Sequence, residues 1–191
     1  MASERCAQPI EFEQLVAYWL GELAPAAESA VEDHYLGCGY CAHRLEQLST
    51  LADGIRAAVR SGAVRAVITR PFLESMKREG MRIREYPAEP GKQVACAIRI
   101  DDDAVASRLQ APLAGVRRVD LLESVDLGDG RTPPFRLEDV PFDPDAGEVI
   151  SLPPAAALRR MPSHTVYVHL VAVDERGDRL LGEYTFVHSA G

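Results

Sequence analysis

Residues 165–188 read TVYVHLVAVDERGDRLLGEYTFVH, and this stretch sets the class of the C-terminal half of the chain. Apolar and polar side chains alternate through 165–173, the period of a half-buried strand. DERGD then turns the chain and LLGEYTFVH at 180–188 answers it, which predicts a β-hairpin. Toward the N-terminus, Val94, Cys96, Ile98 and Ile100 alternate in the same way. Further strand candidates are 116–126, 135–140 and 147–152, each followed by Gly, Pro or Asp. Short strands with Pro-rich turns (Pro133-Pro134, Pro153-Pro154) predict a small antiparallel all-β domain over 86–191, a sandwich ahead of a barrel.

Upstream of Tyr86 the period changes. Pro87, Pro90 and Gly91 form a breaker cluster, and the join between two domains is expected near 80–92. Over 10–20, Ile10, Phe12, Leu15, Val16, Trp19 and Leu20 recur at spacings of three and four, an apolar stripe on a helix. Gly21 is a natural stop and Pro25 a natural first-turn residue of the next helix, which ends near Gly37 and Gly39. A third helix from Tyr40 carries Leu45, Leu48, Leu51, Ile55 and Val59. After Ser61 and Gly62, a more basic segment carries Val64, Val67, Ile68, Phe72, Leu73 and Met76, with Pro71 placed to start, break or kink a helix. The expected class is therefore α+β: a helical bundle of three to four helices over 1–85, then the β domain.

The chain has 191 residues, 47% hydrophobic and 26% charged, which excludes a wholly disordered or collagen-like protein. A net charge of −8 makes it a poor direct ligand for nucleic acid or an anionic membrane. The charge is uneven: residues 1–33 hold seven acids and one base, residues 44–80 seven bases and four acids. No apolar run reaches the roughly 20 residues that span a bilayer. MASERCAQPIEFEQ lacks a cationic region followed by an apolar one, so a cytoplasmic protein without a secretory signal is expected.

In such a compartment clustered cysteines point to metal or redox chemistry rather than to disulfides. His34, Cys38 and Cys41 spell H-x3-C-x2-C across the end of the second helix and the start of the third. His and Cys four apart share a helical face, and Gly37 and Gly39 let the chain turn so that Cys41 meets the same point. Thiolate and imidazole donors suit tetrahedral Zn²⁺. Cys6 is the first choice as fourth ligand, with His43, an acidic side chain or water as alternatives. Cys96 lies on the apolar face of a strand and reads as core. Zinc-bound thiolates can also be oxidised, expelling the metal, so the site reads either as a staple or as a switch. No G-x-S-x-G, P-loop, G-x-G-x-x-G or H-E-x-x-H occurs, and no enzyme is expected. Asp101-Asp102-Asp103 reads as a solvated loop, and His164, His169 and His188 as packed or surface strand residues.

The early Cys6, a helix with Trp19, His34-x3-Cys38-x2-Cys41 and the following amphipathic helix through Leu45, Leu48 and Leu51 resemble the zinc-binding domain of bacterial anti-sigma factors. The resemblance covers roughly residues 6–80. It implies three helices plus a mobile fourth that sequester an extracytoplasmic-function sigma factor between its two domains. On that pattern Cys6, His34, Cys38 and Cys41 are the zinc ligands. Residues 62–80 would be the fourth helix, docking Val64, Val67, Ile68, Phe72 and Leu73 on the sigma factor. Binding would hide the surfaces used for core RNA polymerase and promoter DNA, and the acidic N-terminal stretch would complement a basic surface. Many members continue into a transmembrane helix; none is present here, which implies a soluble cytoplasmic member. The β-half lacks the clustered His and Glu of a cupin metal site, so no second metal is implied. The rival readings are a zinc-stapled adaptor whose β domain binds another partner, and a thiol redox sensor.

Overall fold

The computed structural model describes residues 6–61 and 63–189. The chain divides into two compact units, Met1–Ala57 and Ala58–Gly191.

In the first unit, helix α1 (Phe12–Leu20) buries Leu15 and stops at Gly21, whose φ of +75° is open to glycine at little cost. The N–H groups of Gly21 and Glu22 return to the carbonyls of Tyr18 and Ala17, a glycine-closed C-terminus. Helix α2 (Pro25–Gly37) opens on Pro25, where a missing N–H is harmless. Only Cys38, extended at φ −127°, separates α2 from helix α3 (Gly39–Ser61). Ile10, Leu15, Val31 and Cys41 form the buried centre, with Tyr18, Leu23, Tyr35, Leu45 and Leu48 packed around it. Arg44 Nη1 donates to the Ile10 carbonyl at 2.6 Å and so ties the segment before α1 to α3. The Tyr18 hydroxyl donates to Glu32 at 3.1 Å and lies 3.2 Å from the Tyr35 hydroxyl, joining α1 to α2.

The second unit holds the strands β1 (Ala66–Ile68), β2 (Ile83–Ala88), β3 (Gln93–Cys96), β4 (Ala104–Gln110), β5 (Val119–Asp126), β6 (Phe135–Leu137), β7 (Glu148–Leu152), β8 (His164–Asp174) and β9 (Gly177–His188), with helices α4 (Arg70–Arg78) and α5 (Ala155–Leu158). One sheet runs β1-β7-β4-β2 and the other β3-β9-β8-β5-β6; neither closes into a barrel. Leu109 and Val149 from the first sheet and Leu121, Val168, Leu170, Tyr184 and Phe186 from the second share one core, so the two sheets form a sandwich. Tyr184 on β9 reaches across it and donates its hydroxyl to the Gln110 carbonyl of β4 at 2.5 Å. The expected hairpin is β8–β9, with a register shift at Leu170/Val171.

Three expectations are corrected. The β unit is not purely antiparallel: β2 pairs β4 and β3 pairs β9 in parallel. The chain leaves the first sheet after β2, adds β3 to the edge of the second, and returns as β4 running the same way as β2. The single helix over 62–80 does not form. Val67 and its neighbours pair with β7 as a strand, consistent with their β-branched character, and Pro71 then sits in the first turn of a separate α4. Residues 66–85, expected with the helical half, thereby contribute two strands and a helix to the second unit. Finally, Asp101-Asp102-Asp103 is a turn with Asp101 exposed, but Asp102 at its centre is not solvated. The Asp102 carboxylate is buried and accepts from Arg84 Nε at 2.8 Å, Arg84 Nη2 at 3.1 Å and the Arg99 N–H at 2.7 Å.

Candidate metal centre

Four donors converge at the centre of the helical unit. Cys6 arrives from the segment before α1, His34 from the last turn of α2, Cys38 from the one-residue break, and Cys41 from the first turn of α3. Their ligand atoms all lie within 4.8 Å of one another, and Cys6 Sγ is 3.5 Å from His34 Nε2. Cys41 is buried and the other three are half-buried. The local fold explains the meeting. His34 and Cys38 are one helical turn apart, the break at Cys38 redirects the chain, and the Arg44–Ile10 bond draws the segment after Cys6 toward α3.

The geometry suits a tetrahedral ion. With Zn–S of about 2.3 Å and Zn–N of about 2.0 Å, tetrahedral ligands stand roughly 3.5–3.8 Å apart. The cluster as it stands spans nearly that separation, so an ion needs only small side-chain adjustments. Three sulfurs and an imidazole form the donor set of a closed structural site, with no position left for substrate or water. His43, the alternative fourth ligand, is exposed and lies 3.5 Å from Glu46.

The thiols are electrostatically distinct. Cys38 sits at the N-terminus of α3, where the N–H of Cys41 leads the groups donating to its sulfur and, with Cys6, His34 and the Tyr40 N–H, lowers its pKa to about 7. Burial, with the adjacent sulfurs, pushes the Cys6 thiol up, against a donation from the Gln8 N–H. A cation at the centre would bring all three to the thiolate, because metal charge dominates local titration. Cys96 belongs to the other unit, where burial in the sandwich core pushes its thiol up to about 12. It is a packing residue, as its alternation pattern implied.

The residues expected to dock a partner lie elsewhere. Val64 is exposed, Val67 packs on the sandwich core, Ile68 is buried opposite Ile150, Phe72 is half-buried and Leu73 is fully buried in α4. They do not form a free apolar helix face. Sequence reasoning missed the supports of the cluster, Arg44 and the Tyr18–Tyr35–Glu32 set. The only available signal was position: Arg44 follows Cys41 by three residues, and Glu32 and Tyr35 flank His34.

No protein-family model matches the sequence, and no curated protein matches it. Among solved structures, the chain is similar to the N-terminal domain of phage TP901-1 ORF48, at 9% identity and a TM-score of 0.34. The match covers 56% of this chain and 98% of that one. A likeness this weak carries no argument about fold or chemistry. No described helix is long and apolar enough to cross a membrane.

Proposed function

We propose that the chain is a zinc-stapled anti-sigma factor, which captures an extracytoplasmic-function sigma factor through its helical unit and represses transcription by occlusion, without enzymatic chemistry. The observation that carries this reading is the convergence of Cys6, His34, Cys38 and Cys41 to within 4.8 Å, on the spacing that resembles the zinc-binding anti-sigma domain. Zinc would be held by those four side chains and would supply folding free energy, not a reaction. A cytoplasmic location and a protein partner follow from the same reading.

The contact surface in this proposal differs from the docking helix that the resemblance implied, because that segment is built into the β unit. Phe12, Leu36 and Leu51 are large, exposed apolar side chains on α1, α2 and α3. Helix α1 also carries Glu13, and α2 carries Glu28, Glu32 and Asp33. An acidic surface with apolar anchors complements the basic surface with which a sigma factor approaches promoter DNA.

The test is capture from the native host under reducing conditions with the tagged full chain, bound proteins being identified by mass spectrometry. A stoichiometric sigma factor is expected. Its retention should fall sharply in Leu36→Asp and in Cys38→Ser/Cys41→Ser, the latter with loss of bound zinc. Zinc-replete chain that captures no sigma factor, or a double variant unchanged in both zinc and partner, overturns the proposal.

A further inference from the structure

At one end of the sandwich, β8 begins at His164 and β9 ends at His188, and the two residues are paired in register. Their imidazoles stack with centroids 4.7 Å apart and planes 14° apart. Both residues are more than nine-tenths buried, at 5% and 7% exposure. His164 Nδ1 lies 2.7 Å from the Pro162 carbonyl. A carbonyl only accepts, so Nδ1 carries the proton and Nε2 of the neutral ring holds a lone pair. That Nε2, and Nδ1 of His188, are buried and have no hydrogen-bond partner. An unpaired buried polar atom costs about 1–3 kcal/mol, and both histidines belong to the lining of a cavity at this end of the sandwich.

The two rings line a cavity of about 300 Å³, the low end of the range for small-molecule sites. Ile98, Ile100, Leu158 and Met161 make its walls apolar, and Arg159 stands among them. Arg159 Nη1 donates to the carbonyls of Arg99 at 2.8 Å and Asp102 at 3.0 Å, which fixes the guanidinium and leaves its other N–H groups without a protein partner among the described residues. No described carboxylate lines the cavity. Arg65, paired with Glu123, adds positive potential at His188.

We propose that this cavity binds a small monocarboxylate with an apolar body, its carboxylate held by Arg159 and His164, the His188 ring stacked beneath His164, and its hydrocarbon by Ile98, Ile100, Leu158 and Met161. A cationic ligand would face Arg159. A metal would need further donors. Cys96, the β3 residue paired with His188, forms no third ligand: among the described residues the one Cys/His/carboxylate cluster is that of the helical unit. The carboxylate can be received at His164 only if Nε2 carries a proton, so binding takes up a proton from solvent and His164 becomes imidazolium. Burial, with His164 and Arg65 nearby, pushes His188 down to about 4, so His188 stays neutral and acts as the stacked platform. Affinity therefore rises as pH falls.

The probe is hexanoate, with hexanamide as its uncharged counterpart, titrated into the full chain by calorimetry while the ring signals of His164 and His188 are followed by NMR. One hexanoate per chain is expected, with hexanamide about tenfold weaker or worse. On binding, the His164 ring nitrogens should move toward imidazolium values. Arg159→Gln should weaken hexanoate about tenfold and leave hexanamide unchanged. Should that variant fail to fold, the wild-type ring signals decide. Equal binding of the two probes, no saturable binding, or histidine signals unmoved at saturation overturns the proposal.

Discussion

The helical unit is centred on Ile10, Leu15, Val31 and Cys41, one of these being a donor in the metal cluster. The sheet unit packs Leu109, Leu121, Leu170, Tyr184, Phe186 and their neighbours into a continuous core. The two also treat buried polarity differently. In the sheet unit, buried charges meet charges of opposite sign: Glu148 is flanked by Arg70 Nη2 at 2.5 Å and Arg108 Nε at 3.0 Å, and Asp120 by Arg118 and Arg136. In the helical unit the clustered polar atoms are three thiols and an imidazole, which satisfy one another poorly and a cation well. The sheet unit pairs its buried charges within the chain, and the helical unit gathers a donor set suited to a metal ion.

The largest effect that could break this comparison is removal of metal. A structural zinc contributes about 10–16 kcal/mol of binding free energy that is also folding free energy, more than so small a helical core supplies. Chelation of the full chain, or Cys41→Ser, should abolish most of the helical circular dichroism of α1, α2 and the first half of α3. Amide signals from β8 and β9 should stay in place. Helices that survive chelation would show that the apolar centre suffices and would collapse the distinction.

The converse perturbation acts on the sheet unit. Leu170 is fully buried on the central strand β8, and Leu170→Ala should cost about 2–5 kcal/mol, transfer and cavity together. Urea unfolding followed on the β signal would read the loss, with zinc content unchanged. Zinc released in parallel would mean that the two units unfold as one.

Legibility in the sequence follows the same division. The helical unit was readable because 3.6-residue periodicity, Gly21, Pro25 and H-x3-C-x2-C are all local signals. Even Cys6 could be named as a candidate, though only the fold brings it, and not His43, to the cluster. In the sheet unit the β8–β9 hairpin was equally local. β2 was not, since Pro87 argues against a strand and is tolerated here because β2 is an edge. β4 was hidden behind Asp101-Asp102-Asp103, where the burial of Asp102 rests on Arg84 from another strand. The helical reading of 62–80 failed because pairing with β7, a partner more than eighty residues away, overrode a short apolar pattern. His164 and His188 meet only through strand register, to which no spacing in the sequence points.

Acid offers a third, smaller handle, confined to the ion pairs of the sheet unit. Burial alone would raise the Asp120 carboxyl, but Arg118, the Asp139 N–H and Arg136 outweigh it and hold it down to about 2. A depressed carboxyl stabilises the fold above its unfolded value, near 3.9, and the contribution is lost as pH falls from there through about 2. About 2 kcal/mol should disappear over that window. His188 acts in the same direction but earlier: held at about 4, it destabilises the fold as pH drops from about 6.5. Urea midpoints of wild type and Asp120→Asn should therefore diverge above pH 4 and converge below it. Parallel profiles would show that Asp120 contributes no proton-linked stability.

The smallest expected effect bears on the metal centre itself. His43 is the one other histidine near H-x3-C-x2-C in sequence, and it lies exposed on α3 with Glu46 as its nearest charged partner. An exposed i,i+3 pair of this kind is worth about 0.3–0.5 kcal/mol. His43→Ala should shift stability by no more than that and leave one zinc per chain at unchanged affinity, whereas Cys6→Ser should weaken retention against a chelator by orders of magnitude. The near-null result is informative because it is paired with the large one: together they assign the fourth ligand to the segment before α1. The metal would then tie the chain ahead of α1 to the α2–α3 junction, across the small core it completes. If His43→Ala loses zinc and Cys6→Ser keeps it, the metal would close only the α2–α3 turn, and α1 would have to be held by Leu15, Tyr18 and Arg44 alone.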